Sequence, residues 1–505
     1  MSRGLMANSM LNAAAGLTML VTGFISAIIA ARLLGPEANG IIAFAFWLST
    51  TATLVAGLGA DVILPRRLAQ LRAEGYDERA RRGFGAYFAR GVIVAMLALL
   101  GLYALSCYEN EQYRWAAADD HVLAITGLLF LAQSLGMLSI HFMIGEKRVA
   151  TFYKLTLVSS ALQLSIVSIG ALSYGIAGAL AGYVAGQGVF FVYALKLFAV
   201  RANPCGTNAA SLARTSAIIS VQLVIESIFL NRIELLFLQQ FDSVAVVGFY
   251  AIGLSLANLA LQLPVQLTGT LVPYYTEQAQ ARPDGRLPVH LFENVIRTLA
   301  YFTLPMGFGL AAISWEMVTE VYGETFAPAG NIVALLALSA PLSVFLQIAT
   351  KYLFAIGRER ERLKIGIIGA ALMVAGCFAA VPLAGGEGAA ATRIAVLLVM
   401  SLLTVSRMEF EGSMRPMFLS LARITLASMA CAAAAYTIAN AIDGLIGILA
   451  AILGGAAVYI PALRLLRAIP ASDVAMIEPL LNRLPGRLRQ PGKQFLTLIA
   501  NPGAI

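Results

Sequence analysis

Arg232, Glu226 and Glu234 lie within one apolar stretch, residues 213–237. A charge inside a bilayer costs on the order of 2.5–3.5 kcal/mol, so such residues face a cavity or one another. A guanidinium suits an anionic phosphate, because its fork donates two parallel hydrogen bonds. A carboxylate at such depth can take up a proton or a sodium ion. Arg232 therefore reads as an anion or gate contact, or as a structural ion pair with Glu226. Glu226 and Glu234 read as ion-coupling groups, or as the charge balance of Arg232. On a continuous helix, residues two apart point away from each other, which argues against a simple Arg232–Glu234 pair.

A second constellation is polar but uncharged. Asn258, Gln262 and Gln266 recur at every fourth position of an apolar run, so they share one helix face. Such a stripe lines a cavity where it can bind hydroxyls, or it joins two helices. Gln222, Gln133 and Gln163 are weaker instances. Asp61 sits near the end of the run 40–62 as another ion-coupling candidate. Arg32 ends the first run as a snorkelling residue or a gate contact. Arg66 and Arg67 follow Pro65 as ordinary basic anchors or as anion receivers. His141 and Lys351 stand near run ends, where snorkelling explains them.

These residues need helices to hold them. The chain is 59% hydrophobic and 12% charged, against about 25% charge in a soluble domain. A membrane helix needs roughly 20 apolar residues, and about fourteen such runs can be read. They are 10–31, 40–62, 84–106, 121–143, 153–173, 175–198, 213–237, 247–270, 297–316, 330–354, 364–383, 389–406, 420–440 and 444–466. The runs are continuous rather than alternating, which excludes a barrel. The expectation is an all-α polytopic membrane protein. Cys107, Cys205, Cys377 and Cys431 form no close pair, and His121, His141 and His290 are too scattered for a metal site. No cofactor is expected. The net charge of +8 comes from loop arginines and does not imply nucleic acid.

Basic residues follow every even-numbered run. Arg66, Arg67, Arg72, Arg79, Arg81 and Arg82 follow the second, and Lys147, Arg148 and Lys154 the fourth. Arg201 and Arg214 follow the sixth, and Arg282, Arg286 and Arg297 the eighth. Arg358, Arg360, Arg362 and Lys364 follow the tenth, and Arg407, Arg415 and Arg423 the twelfth. Odd-numbered exits are acidic or neutral, as at Glu109, Glu111, Asp119 and Asp120 and at Glu316, Glu320 and Glu324. Lys and Arg mark the cytoplasmic side, so both termini are expected inside. Trp115 and Trp315 then fall at the outer interface. The first run is too long for a secretory core and has a partner in the repeat described next.

Shifted by 208 positions, Gly40 falls on Gly248, Ala43 on Ala251, Leu48 on Leu256, Pro65 on Pro273 and Gln70 on Gln278. Ile144-Gly145-Glu146-Lys147-Arg148 also resembles Ile356-Gly357-Arg358-Glu359-Arg360. Tyr174-Gly175-Ile176-Ala177-Gly178-Ala179 resembles Gly385-Gly386-Glu387-Gly388-Ala389. The offset contains six runs, an even number, so the halves are parallel repeats. The expected organisation is a six-helix lobe 1–200, a six-helix lobe 201–412, extra helices 413–467 and a basic cytoplasmic tail 468–505. The tail carries Arg483, Arg487, Arg489 and Lys493, with either an amphipathic helix at 473–484 or an irregular chain.

Ala31-Arg32-Leu33-Leu34-Gly35-Pro36-Glu37-Ala38-Asn39-Gly40 resembles the opening of the Wzx-type polysaccharide flippases. So do Glu234-Leu235-Leu236-Phe237-Leu238-Gln239-Gln240-Phe241 and Val321-Tyr322-Gly323-Glu324-Thr325-Phe326-Ala327-Pro328-Ala329. These belong to the multidrug/oligosaccharidyl-lipid/polysaccharide (MOP) exporter superfamily, and the resemblance covers about residues 5–440. It implies two six-helix lobes around a central cavity. It also implies export of an undecaprenyl-pyrophosphate-linked oligosaccharide across the bacterial inner membrane by alternating access. On that basis Arg232, Arg66 and Arg67 would meet the pyrophosphate, and Asn258, Gln262 and Gln266 the sugar. Arg32 and Glu234 would gate, while Glu226, Glu234 and Asp61 would couple an ion. A polysaccharide polymerase and a chain-length regulator are the implied protein partners, besides membrane lipids. Where the family often has Asp in the seventh run, this chain has Glu234. Asp61 matches no family feature.

Two other transporter readings remain, a lipid II flippase and a drug/cation antiporter. The second expects an acidic residue in the first run, and residues 10–31 contain none. An enzyme would need a sizeable outer loop with acid, base or nucleophile. No Ser-His, Cys-His or phosphate-loop arrangement is present.

Overall fold

The computed structural model describes residues 2–109, 119–230, 232–267, 287–408 and 410–470, with Leu271, Tyr275, Gln278 and Asp473. Contacts gather the chain into two units, Met1–Ala251 and Ile252–Ile505.

The first unit contains α1 (Ser2–Ala56), α2 (Ala60–Ala73), α3 (Glu78–Glu109), α4 (Asp120–Gly145), α5 (Val149–Phe198), α6 (Ala209–Val224) and α7 (Glu234–Phe241). Helix α8 (Val244–Leu267) follows. The second unit contains α9 (Val289–Ala312), α10 (Ser314–Tyr322), α11 (Ala329–Ala355), α12 (Glu359–Ser406), α13 (Arg415–Ala439) and α14 (Gly444–Leu465). Leu287 and Pro288 pair with Phe410 and Glu411 as a two-residue parallel bridge.

Nine described helical stretches are long and apolar enough to cross a membrane. Three hold a non-helical break where the sequence places two runs. Gly35 (φ 83°) divides α1, Gly175 (φ 58°) divides α5, and Ala384 with Gly385 (φ 50°) divides α12. These breaks need a left-handed residue, which glycine adopts without a Cβ penalty. The shorter apolar helices at 209–224 and 244–259 fall on the seventh and eighth expected runs. Apolar side chains also cover the exterior: Leu383 is 87% exposed and Tyr174 79%. So large an apolar surface needs a hydrocarbon solvent. The protein is an all-α, multi-pass membrane protein.

The repeat is visible in backbone detail, each copy within its own unit. Gly175 has φ/ψ of 58/−133° and Gly385 50/−132°. The turn after α4 bonds Lys147 N to Ile144 O and Arg148 N to Met143 O. The turn after α11 bonds Gly357 N to Phe354 O and Arg358 N to Leu353 O. Lys147 and Gly357 are both left-handed. This fixes the equivalence as Lys147 with Gly357. The sequence pairing of Ile144 with Ile356 is out of register by two residues.

Four expectations are corrected. The second run is not one helix, because α1 ends at Ala56 and a turn at Gly57-Leu58-Gly59 precedes α2. The basic segment expected as a loop after it is largely helical, as α2 and the first turn of α3. The seventh run is divided: α6 passes into a π-turn at Ile225–Phe229, and α7 begins only at Glu234. The acidic exit after the ninth run folds into α10 and a 3-10 turn at Glu324–Phe326. Trp115 and the tail segment 474–505 lie outside the described residues.

Candidate functional site

The divided seventh run carries the sharpest candidates. Arg232 and Ile233 form the turn between the π-turn and α7, and Arg232 is half-buried. The spacing argument against an Arg232–Glu234 pair assumed a continuous helix, and it falls with that helix. π-Turns inside helices recur at functional sites, because the extra residue widens the turn and frees backbone groups. Glu234 opens α7 and is fully buried. Its Oε1 accepts a hydrogen bond from the Tyr250 hydroxyl at 3.1 Å. Two features hold this carboxylate in place, the α7 N-terminus, whose dipole favours a negative charge, and the phenol of α8. The Glu226 side chain lies outside the described residues, as do those of Gln262 and Gln266. Asn258 is described and exposed.

The opening of α8 packs against the start of the second run, both within the first unit. A Cβ on Gly40 would stand 1.9 Å from Val244 O, and one on Gly248 2.3 Å from Pro36 O. The Asn39 side-chain amide donates to Gly248 O at 3.1 Å. Small residues let two backbones approach closely in this way. The contact is reciprocal: Pro36 and Gly40 occupy the positions of Val244 and Gly248 in the 208-residue repeat. Arg32, one turn before the Gly35 break, is exposed.

The α2–α3 basic residues divide by role. The Arg67 guanidinium donates to Glu74 Oε1 at 2.8 Å, to Thr207 Oγ1 at 3.3 Å and to Cys205 O at 3.4 Å. It is tied to its surroundings, so an incoming anion must compete with them. Arg66 is exposed. Arg81 grips Glu146 with two parallel bonds of 2.8 and 2.9 Å. Arg72 reaches the same carboxylate at 3.3 Å, and Arg148 pairs with Glu78. Burial opposes ionisation of Glu146, but the Arg81 and Arg72 guanidiniums outweigh it and hold its carboxyl below the usual carboxylate range. A depressed carboxyl stabilises the fold above its unfolded value, about 4.3, and loses that contribution as pH falls through the folded value. Glu146→Gln should therefore cost about 2 kcal/mol at neutral pH. In melting curves, the gap between wild type and variant should close as the medium is acidified. A gap that stays constant with pH would count against this ion-pair role.

Other expected candidates serve the packing. Gln163, buried on α5, donates to Ser26 Oγ at 3.1 Å, joining α5 to α1. Arg297 is no loop anchor. It is 4% exposed, its Nε bonds Asp473 Oδ2 at 2.7 Å, and Glu293, Asn294 and Tyr301 complete the cluster. Asp61 opens α2, and its Oδ1 is buried without a hydrogen-bond partner among the described residues. His141, on α4, holds its Nδ1 2.9 Å from Met137 O. Arg393, buried within α12, escaped the sequence reading. A 610 Å³ cleft between α3 and α4, lined by Leu100, Tyr103, Leu123 and Leu131 among others, lies beside none of the candidate residues.

Residues 29–331 match the family described as "Polysaccharide biosynthesis protein". Among proteins of curated function, none matches the sequence significantly. The fold resembles that of "Lipid II flippase MurJ, inward closed conformation", with TM-score 0.69 and 16% identity over 90% of this chain and 98% of that one. It also resembles an inward-facing multidrug resistance MATE family transporter of the MOP superfamily, with TM-score 0.60 and 12% identity over 77% of this chain and 94% of that one. A third similar structure is a mutant of the Vibrio cholerae MATE transporter VcmN, with TM-score 0.52 and 15% identity over 80% of this chain and 96% of that one. The chain thus belongs to the polysaccharide biosynthesis protein family and shares the all-helical fold of MOP-superfamily transporters.

Proposed function

We propose that this protein is a flippase that moves a polyprenyl-pyrophosphate-linked oligosaccharide from the inner to the outer leaflet of the bacterial inner membrane. The family match over residues 29–331 carries the reading. The divided seventh run supports it, because a discontinuous membrane helix bearing a charge is the usual construction of a transporter site. In this reading, residues 1–200 and 201–412 are two lobes working by alternating access. The helices of 413–467 flank them and the basic tail follows. Both termini face the cytoplasm. Arg232 receives the pyrophosphate, and Arg66, with Arg67, meets it on the inner side. Asn258, Gln262 and Gln266 serve the sugar hydroxyls. Arg32 and Glu234 act in gating, and Glu226 and Glu234 are ion-coupling candidates beside Asp61. A polysaccharide polymerase and a chain-length regulator are the protein partners that fit such a substrate.

An inside-negative potential favours outward movement of an anion by about 2.3 kcal/mol per charge per 100 mV. A doubly charged pyrophosphate gains roughly twice that, so the potential alone can drive export. The test is flipping of a labelled polyprenyl-pyrophosphate oligosaccharide in proteoliposomes. Wild type should transport, and Arg232→Ala should lose more than about tenfold, as expected when a charge-assisted contact of 1.5–3 kcal/mol goes. Full activity in the variant removes Arg232 from the site. Transport of lipid II but not of oligosaccharide carriers would favour the second reading, which the 0.69 TM-score to a lipid II flippase supports.

A further inference from the structure

The linker 199–208 between α5 and α6 is fastened along α2 and α3. It crosses α3 at Gly83, whose carbonyl accepts the Asn203 amide at 2.9 Å. The crossing is close, because a Cβ on Gly83 would stand 2.9 Å from Asn203 Cβ and 3.2 Å from Arg201 O. The chain then reverses at residues 204–207, where Thr207 N donates to Pro204 O at 2.9 Å. Cys205 (φ 47°) and Gly206 (φ 69°) are both left-handed. Positive φ at both central positions marks a type I′ turn, which suits glycine and strains cysteine. Such strain persists only where the surroundings impose it. Two contacts do so here. The Cys205 side chain is buried in one cluster with Leu64, Leu68 and Phe84, and its carbonyl is held by Arg67.

The fork of Arg67 is divided between two kinds of partner. Nη1 donates to Glu74 Oε1 at 2.8 Å and to Gln70 Oε1 at 3.3 Å, which anchors the group to its own helix. Nε donates to Thr207 Oγ1 at 3.3 Å, and Nη2 to Cys205 O at 3.4 Å. Nε and Nη2 form an edge by which a guanidinium donates two parallel bonds to one oxyanion. Here two neutral oxygens of the linker occupy that edge, both beyond the ordinary range of about 2.7–3.2 Å. Charge-assisted bonds to a phosphate are shorter, about 2.7–2.9 Å, and roughly twice as strong. The edge therefore prefers the anion to the linker, while Nη1 keeps the guanidinium in place. The Glu74 carboxylate repels an incoming anion, and the exposed Arg66 and Arg201 of the same two segments oppose that repulsion. The Arg67 side chain is 20% exposed, so the aqueous phase reaches it.

We propose that Arg67 is an oxyanion site held shut by the linker, and that a phosphate or pyrophosphate group takes the Nε–Nη2 edge from Thr207 and Cys205 and releases the turn at 204–207. The exchange makes and breaks hydrogen bonds only. The group comes from a lipid-linked carrier or from the aqueous phase, and the edge meets the same oxygens in both. The linker runs directly into α6, where Asn208 Oδ1 accepts the Ala210 amide at 2.9 Å. Release of the turn thus frees the leading end of the seventh run, which carries Arg232. This link to transport rests on the flippase reading.

The test is hydrogen–deuterium exchange of the full-length protein in phosphatidylcholine vesicles, followed over residues 203–207. Inorganic pyrophosphate in the medium, or polyprenyl pyrophosphate in the vesicle, should speed exchange there by about tenfold as the contacts to the turn are lost. A response to inorganic pyrophosphate shows that a free anion suffices, and a response to polyprenyl pyrophosphate alone assigns the site to the lipid carrier. A response to neither overturns the proposal. Arg67→Lys keeps the charge and loses the two-donor edge, so its response should vanish, and a full response there overturns the proposal. Thr207→Val removes one linker bond without touching Arg67. It should lower the pyrophosphate midpoint by about two- to tenfold, because the anion then has less to displace. An unchanged midpoint means that anion and linker do not compete, and it too overturns the proposal. Arg79→Gln, at an exposed position outside the edge, should respond as wild type does. An equal loss there would reduce the effect to surface charge and overturn the site. A linker that answers pyrophosphate in a protein that flips no oligosaccharide leaves the site standing and refutes the flippase. A protein that flips while its linker stays silent does the reverse.

Discussion

Gly40→Val will part the backbones of residues 36–40 and 244–248 and lower the stability of the first unit by about 1–3 kcal/mol, the usual cost of overpacking. The obstacle is a carbonyl oxygen 1.9 Å from the position of the new Cβ. A side-chain rotamer cannot relieve it, so one segment must move. Gly248→Val should act in the same direction through Pro36 O. Because both changes open one contact, their effects should fall short of additive when combined. Nitroxide labels on Glu37→Cys and Ser243→Cys, both exposed positions, report the separation directly. Cys107, the one native cysteine that is not buried, must be replaced first. The interlabel distance should lengthen in either valine variant, and an unchanged distance with an unchanged melting temperature would refute the close crossing. In the proposed orientation this crossing lies toward the outer face. Valine should then also favour outward opening.

Asp473→Ala will cost about 3–5 kcal/mol, because it leaves the Arg297 guanidinium buried without its main counter-charge. Arg297 and Asp473 are 4% exposed each, and two bonds join them. Tyr301 donates to the same carboxylate at 2.9 Å, so its hydroxyl loses an acceptor as well. At about 2–4 °C per kcal/mol for a unit of this size, the melting temperature should fall by roughly ten degrees. The double variant Arg297→Met with Asp473→Ala should recover most of that loss, since it removes both charges together. A double variant as unstable as the single one would show that packing around residue 473, rather than the ion pair, holds this segment.

Composition made the fold legible. Continuous apolar runs between basic and acidic exits correspond to the helices, and the repeat motif of 174–179 and 385–389 holds the breaks at Gly175 and Gly385. The breaks inside runs were not legible. Leu58 has no propensity for the left-handed region, and Ile225–Phe229 is as apolar as an uninterrupted helix, so only tertiary packing sets either. Loop charge was also blind to pairing. Arg297 and Arg66 look alike in sequence, yet one is enclosed by a carboxylate 176 residues away and the other is exposed. Gln163 looked like a cavity residue, and its partner proved to be Ser26. Asp61 was a candidate from its depth alone.

The reciprocal contact of Gly40 and Gly248 bears on origin. Two identical half-length chains related by a two-fold axis would touch through the same residues on both sides, as isologous interfaces do. Residues 36–40 and 244–248 touch in that manner within a single chain. A self-associating ancestor that underwent gene duplication would arrive at this arrangement without inventing a new interface. Fusion then frees the two sides to diverge. Pro36 on one side and Val244 on the other record such a divergence around a shared glycine.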